Sequence, residues 1–194
     1  MTIINLRVAN PDDAKAISRL KVLCWRDSYK GLMPDPALDN LDAKAEEPHW
    51  REWLSDEKSG LCAYVLHEGQ NLIGYALAGP FRSLEKSDDE VEPMPDLADS
   101  EIYAIYLHPN HQRQGHGKML VSALTKDLID HGYKDVALWV VGGNMKAESF
   151  YERIGGQEGP KRVERRSNKI VFREKAYIWP DLRALHAKLT VKPV

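Results

Sequence analysis

Residues 108–120 read HPNHQRQGHGKML, a proline turn and a polar stretch with two glycines that run into an apolar repeat. Before it, EIYAIYLHP (101–109) is an almost continuous apolar run, which suits a strand covered on both faces. After it, Leu120, Val121, Leu124, Leu128 and Ile129 recur at helical spacing up to Gly132. A strand that passes through a glycine turn into a helix gathers unpaired backbone N–H groups at the positive end of the helix dipole, where phosphate binds. Gly115 and Gly117 carry no side chains to hold a ligand off the backbone, and Arg113 and Lys118 add charge. The stretch therefore reads as a pyrophosphate cradle, with a turn needed only for packing as the alternative. A P-loop is excluded, because Gln112 stands where its first glycine belongs and Met119 where its Ser or Thr belongs. A dinucleotide fingerprint is excluded too: Leu120 takes the place of the third glycine.

Outward from this turn the chain alternates strands and helices. IINLRVA (3–9) has the apolar–polar alternation of a half-buried strand, β1, and NPDD (10–13) starts a helix with Asn10 as N-cap and Pro11 at N1. Ala14, Ile17, Leu20 and Cys24 share one face of that helix. WRDSYKGLMPDPALDNL (25–41) breaks it at Gly31 and Pro34, and a second helical segment carries Leu38, Leu41, Trp50 and Trp53. LCAYVLHEGQNLIGYALAG (61–79) is a hairpin, β2 and β3, around EGQN. FRSLEKSDDEVEPMPDLADS (81–100) holds seven acids and two prolines without apolar periodicity, and reads as an acidic insertion over about 82–100. The apolar run 101–109 is β4 and DVALWVV (135–141) is β5. NMKAESFYERIGG (144–156) is a short helix closed by Gly155. RVERRSNKIVFREKAYIWPDL (162–182) is a hairpin, β6 and β7, that turns at Ser167 and Asn168. A helical tail follows over about 180–194.

At 194 residues, 43% hydrophobic and 29% charged, the expectation is one globular domain spanning 1–194. A net charge of −2 gives no global attraction to nucleic acid or anionic lipid. KRVERRSNK (161–169) could found a basic module, but its charges are more simply solvent-facing. Cys24 and Cys62 make no disulfide framework, and no run approaches the roughly 20 apolar residues of a membrane span. The N-terminal residues carry no basic segment followed by an apolar one, so the expected compartment is the cytoplasm. His108, His111 and His116 show no metal-ligand spacing, and no metal is expected.

HQRQGHG (111–117) resembles the Gln/Arg-x-x-Gly-x-Gly/Ala acetyl-CoA loop of the GCN5-related N-acetyltransferase (GNAT) superfamily, and NMKAESFYERIGG resembles that superfamily's second cofactor segment. The element order agrees over most of residues 3–179. The resemblance implies an α/β fold of α+β type: a central, mixed, mostly antiparallel seven-stranded sheet, splayed between β4 and β5 and flanked by helices. It implies acetyl-CoA as co-substrate and acetyl transfer to a primary amine on a small molecule or peptide. The pyrophosphate falls to the backbone of Arg113, Gln114, Gly115, His116, Gly117 and Lys118 beside Gln112, the thioester carbonyl to the Leu107 N–H, and the pantetheine chain to Asn144.

Thioester aminolysis needs a free amine and a protonated leaving thiol, since an alkylamine of pKa about 10.4 is mostly ammonium at neutral pH. By the resemblance Tyr151 is the general acid, with aromatic packing as its structural alternative. Glu101, eleven residues before Gln112, matches the base carboxylate of histone-type members, or is a strand-edge glutamate that meets solvent. Trp25 and Tyr29 lie where the family places its acceptor loop, or are core aromatics. The acidic insertion could draw a polycationic acceptor, and more simply is a solvated loop. No residue looks like a covalent nucleophile, so direct attack in a ternary complex is expected. A non-catalytic acyl-CoA-binding regulator and an acyltransferase for longer acyl-CoA are the rival readings. These motifs leave the acceptor and any homodimer open.

Overall fold

The opening in the sheet begins at a surplus residue on its fourth strand. In the computed structural model, which describes residues 3–56, 60–82, 96–166 and 169–190 (side chains of 164–172 excepted), the strands are β1 (Ile4–Val8), β2 (Cys62–Glu68), β3 (Asn71–Pro80), β4 (Ser100–Leu107), β5 (Val136–Val141), β6 (Gln157–Arg166) and β7 (Lys169–Trp179). They lie in the order β1-β2-β3-β4-β5-β7-β6. Neighbours are antiparallel except β4 and β5, which run parallel and register at Glu101↔Ala137. Opposite β3 the pairing steps from Ala78↔Ile102 to Leu77↔Ala104, which leaves Tyr103 as the extra residue of a β-bulge. A bulge bends its strand and sharpens the local twist. Beyond the Glu101 pairing, β4 therefore veers from β5, and the expected splay has its cause.

The bulge also sorts the side chains of β4 between two layers. Ile102, Ile105 and Leu107 face a core shared with the helices α4 (His116–Asp130), α5 (Met145–Arg153) and α6 (Leu182–Thr190), centred on Leu120, Leu124, Leu128 and Tyr177. Ala104 and Tyr106 face the opposite layer, built on α1 (Ala14–Ser28) and α3 (Ala43–Ser55), where Ile17, Trp50, Val65 and Tyr75 are buried. Between α1 and α3 lies the single turn α2 (Asp35–Asp39). The second helical segment expected after Pro34 is thus two pieces, because Asp42 caps a new helix by accepting a hydrogen bond from Lys44 N–H. The expected tail is not peripheral: Leu182 and Leu185 of α6 are buried in the α4 core.

At the N-terminus the expected Asn10 cap forms, with Asp12 N–H donating to Asn10 Oδ1 and Asn10 N–H to Asp13 Oδ2. Asp13 accepts two more bonds from Arg7 at 2.7 Å, which ties β1 to the start of α1. The expected turn at Ser167 and Asn168 and most of the acidic insertion lie outside the described residues. Where the chain resumes, Asp99 accepts bonds from the backbone N–H groups of Lys134 and Asp135, which fastens β4 to the start of β5. Among the described residues no helix is long and apolar enough to cross a membrane.

Glu101 does not meet solvent, which removes one of the two expectations for it. Its side chain is 2% exposed, and Arg82 holds both oxygens, with Nη2 at 2.5 Å from Oε1, and Nε and the backbone N–H on Oε2. Arg82 lies over the Tyr103 ring at 4.2 Å, so the ion pair also braces the bulge. Removing one partner leaves a buried charge uncompensated. Arg82→Ala is expected to destabilise the fold by about 3 kcal/mol, and the double change Arg82→Met/Glu101→Leu to recover most of it. Urea titrations of the three proteins check this.

Candidate functional site

Each end of the α4 N-terminus is shaped by a different glycine. Gly115 is the N-cap at φ 87°, a left-handed conformation that a side chain would strain. Gly117 matters for space: an added Cβ would stand 3.2 Å from Phe150 and 3.7 Å from Leu107. Arg113 at φ 62° is the one non-glycine with positive φ among the described residues. With Gly115 it puts two left-handed residues just ahead of α4, the kind of backbone from which anion nests are built. Side chains lock the curl from behind: Gln114 donates to Asn110 O, Gln112 donates to Leu107 O, and the buried His116 ring bonds His111 O at 3.0 Å.

From this loop a cavity of about 550 Å³ runs into the opening between β4 and β5. Of the residues expected at a cofactor site, Leu107, Gln112, Arg113, Gly115, Gly117 and Lys118 line it, as do Asn144 and Tyr151 from the second segment. Gln114 and His116 do not line it; they hold the loop's shape. Lys146 and Arg153 also line the cavity, and with Arg113 and Lys118 they give it four cationic side chains. The sequence reading missed these two because surface bases on a short helix look like solvated charge.

Leu107 takes its orientation from the ladder. His108 N–H donates to Ile73 O at 2.8 Å, which makes Ile73 and His108 a hydrogen-bonded position of the β3–β4 ladder. Alternation makes Gly74↔Leu107 and Ala76↔Ile105 the non-bonded pairs, whose N–H and C=O groups turn away from β3 toward the opening. The Leu107 carbonyl accepts from the Cys24 thiol at 3.3 Å and from Gln112, which fixes the peptide plane. A strand edge whose N–H groups at 105 and 107 face a cavity can pair with an extended amide chain and polarise a carbonyl placed at its end.

Asn144 caps α5 by accepting from Ala147 N–H at 3.2 Å, which leaves its amide NH₂ as the donor. Tyr151, two turns along α5, is 7% exposed and is packed by Tyr177 and Trp179 at ring distances of 5.6 and 6.0 Å. Burial raises its pKa, so the phenol is protonated at neutral pH. Burial also pushes the Cys24 thiol up to about 12 and Cys62 to about 11, which disables both as nucleophiles.

On the α1 layer the expected acceptor residues divide. Tyr29 lines the cavity, and its hydroxyl lies 3.0 Å from that of Tyr106. Trp25 does not line it, and meets the Tyr29 ring edge-on at 5.3 Å. Tyr106 and Trp139, which also line the cavity, went unnoticed in the sequence because aromatics within apolar strands look like core. The signal was available: Tyr106 is one residue before Leu107, so strand alternation sends its side chain to the opposite layer. No cluster of His, Cys, Asp or Glu among the described residues could hold a metal.

The geometry has counterparts in known proteins. The family model of the Acetyltransferase (GNAT) family matches residues 23–156. A Bacillus subtilis (strain 168) protein, named as the uncharacterized N-acetyltransferase YuaI, is 30% identical over 190 residues, 96% of this chain and 99% of that one. A mycothiol acetyltransferase of Rhodococcus jostii (strain RHA1) is 29% identical over 141 residues, 66% of this chain and 43% of that one. Among solved structures, the PaiA N-acetyltransferase of Thermoplasma acidophilum in complex with coenzyme A shares the fold at TM-score 0.64 and 18% identity, over 90% of this chain and 99% of that one. By the strand opening, by the glycine loop and by these matches, the chain belongs to the GNAT acetyltransferase family.

Proposed function

We propose that the protein transfers an acetyl group from acetyl-CoA to a primary amine by direct attack. One observation carries the reading: a single cavity joins the cationic glycine loop to the Leu107 edge, to Tyr151 and to the Tyr29–Tyr106 pair on the far layer. The residues fit the co-substrate part by part. The N–H groups of residues 113–118, with Arg113, Lys118, Lys146 and Arg153, hold the diphosphate. The Ile105 N–H group and the Asn144 amide pair with the pantetheine amides. The thioester carbonyl accepts from Leu107 N–H, which places its carbon within the opening and leaves its other face to the α1 layer.

The amine nitrogen attacks that carbon from the α1 side. A C–N bond forms, negative charge gathers on the oxygen against the Leu107 N–H, and the C–S bond breaks as the carbonyl reforms. Sulfur takes the Tyr151 proton, and the proton shed by the nitrogen returns to Tyr151 through solvent, so the exchange is neutral overall. Glu101 has no part in this scheme, because Arg82 holds both its oxygens.

Initial velocities with acetyl-CoA and an amine panel test the reading. Reciprocal plots are expected to intersect, as a ternary complex requires. Parallel lines, which signal an acetylated protein, or no release of coenzyme A with any amine, would overturn it.

A further inference from the structure

The acceptor's end of the cavity is built from phenols. Tyr29 ends α1 as its C-cap and Tyr106 stands on the α1 side of β4, their hydroxyl oxygens 3.0 Å apart. Each ring is braced: Tyr29 by Trp25, and Tyr106 by Tyr75 at 5.5 Å. Tyr106 immediately precedes Leu107, so the pair stands across the strand from the position where the thioester carbonyl is polarised.

Among the described residues, the ionisable groups whose fields reach this pair are occupied or uncharged. Glu174 of β7, whose field reaches Tyr29, is bonded by Arg162 Nε at 2.5 Å, and Arg162 lies 4.1 Å over the Trp139 ring. Glu101 is held by Arg82. Cys24 of α1, Tyr75 of β3 and Tyr151 of α5, the other groups that act on the pair, are neutral at physiological pH because burial raises each of them. Burial raises Tyr29 and Tyr106 as well. Two neutral phenols share one hydrogen between them and keep lone pairs that can accept from an N–H. Neither can take a proton from an ammonium ion.

Resting on the acetyl-transfer reading above, we propose that the Tyr29–Tyr106 hydroxyl pair receives the acceptor nitrogen as a free amine, and that the protein thereby selects weakly basic amines. The class comprises α-amino groups of amino acids or peptides and amines beside electron-withdrawing substituents; lysine-type alkylamines are disfavoured. The size of the preference follows from the neutral fractions. With reference pKa values of about 8 for an α-amine and about 10.4 for an alkylamine, the free form is about 200-fold more abundant for the first at pH 7 and about 20-fold at pH 9.

The test measures kcat/KM for a panel of amino-acid amides and matched alkylamines from pH 6 to 10, in the native protein and in Tyr106→Phe. Expected are a preference of about 200-fold for the amino-acid amides at pH 7 that narrows to about 20-fold at pH 9, a break in each amino-acid amide profile at that amine's own pKa, and alkylamine profiles that still rise at pH 10. Tyr106→Phe is expected to lower kcat/KM about 10-fold for every amine while the breaks and the coenzyme A affinity stay in place. Alkylamines accepted as well as amino-acid amides at pH 7 would overturn the inference. So would a break at one pH common to all amines, the mark of a base in the protein; loss of that break in Glu174→Gln would name it. If no amine releases coenzyme A while calorimetry shows the co-substrate bound, the acetyl-transfer reading itself fails and takes this one with it.

Discussion

Gly117→Val is expected to weaken coenzyme A binding at least 100-fold, a loss of about 3 kcal/mol, while the protein stays folded. An added Cβ alone would press to 3.2 Å from Phe150, and two further methyls have only the cavity to enter. Part of the strain falls on the fold, at about 1–2 kcal/mol for an overpacked site. Gly115→Ala is the informative contrast. Its Cβ would meet nothing within 4 Å, so its effect comes from forcing alanine to φ 87°, about 1 kcal/mol, and affinity should fall far less. Titration calorimetry with coenzyme A, paired with thermal melts, separates the two. Equal affinity for Gly117→Val and the native protein would remove the glycine loop from the cofactor site.

The second large effect is on rate. Tyr151→Phe keeps the ring between Tyr177 and Trp179, so it should alter stability by less than about 1 kcal/mol. It takes away the proton offered to sulfur, and kcat is expected to fall about 100-fold, equivalent to about 2.7 kcal/mol of barrier. Coenzyme A affinity should not change. Single-turnover kinetics with acetyl-CoA give the chemical step directly. An unchanged rate would make Tyr151 a packing residue, and no measurable rate in either protein would favour a non-catalytic acyl-CoA-binding regulator.

What the sequence revealed and what it hid follow from the range of the interactions. The glycine turn was legible because each of its requirements is local: a strand, a left-handed N-cap at Gly115, a side-chain-free Gly117 and a helix, all within about thirty residues. The terminal helix was legible as a helix, but its burial depended on α4, some sixty residues away. The ion pair of Glu101 was hidden for a similar reason. A carboxylate in an apolar strand looks poised for proton transfer until its partner is known, and Arg82 lies across an insertion that hides the pairing. The bulge at Tyr103 had no sequence mark, since it exists only in the register between two strands. The pairing of Tyr106 with Tyr29 stayed hidden because the two stand seventy-seven residues apart.

The bulge carries one more consequence. A single unmatched position on β4 keeps the central seam of the sheet unzipped, and backbone groups at 105 and 107 remain unspent on another strand. The scaffold thus forgoes its own strand pairing along that edge, and the same amides stand ready for an extended guest.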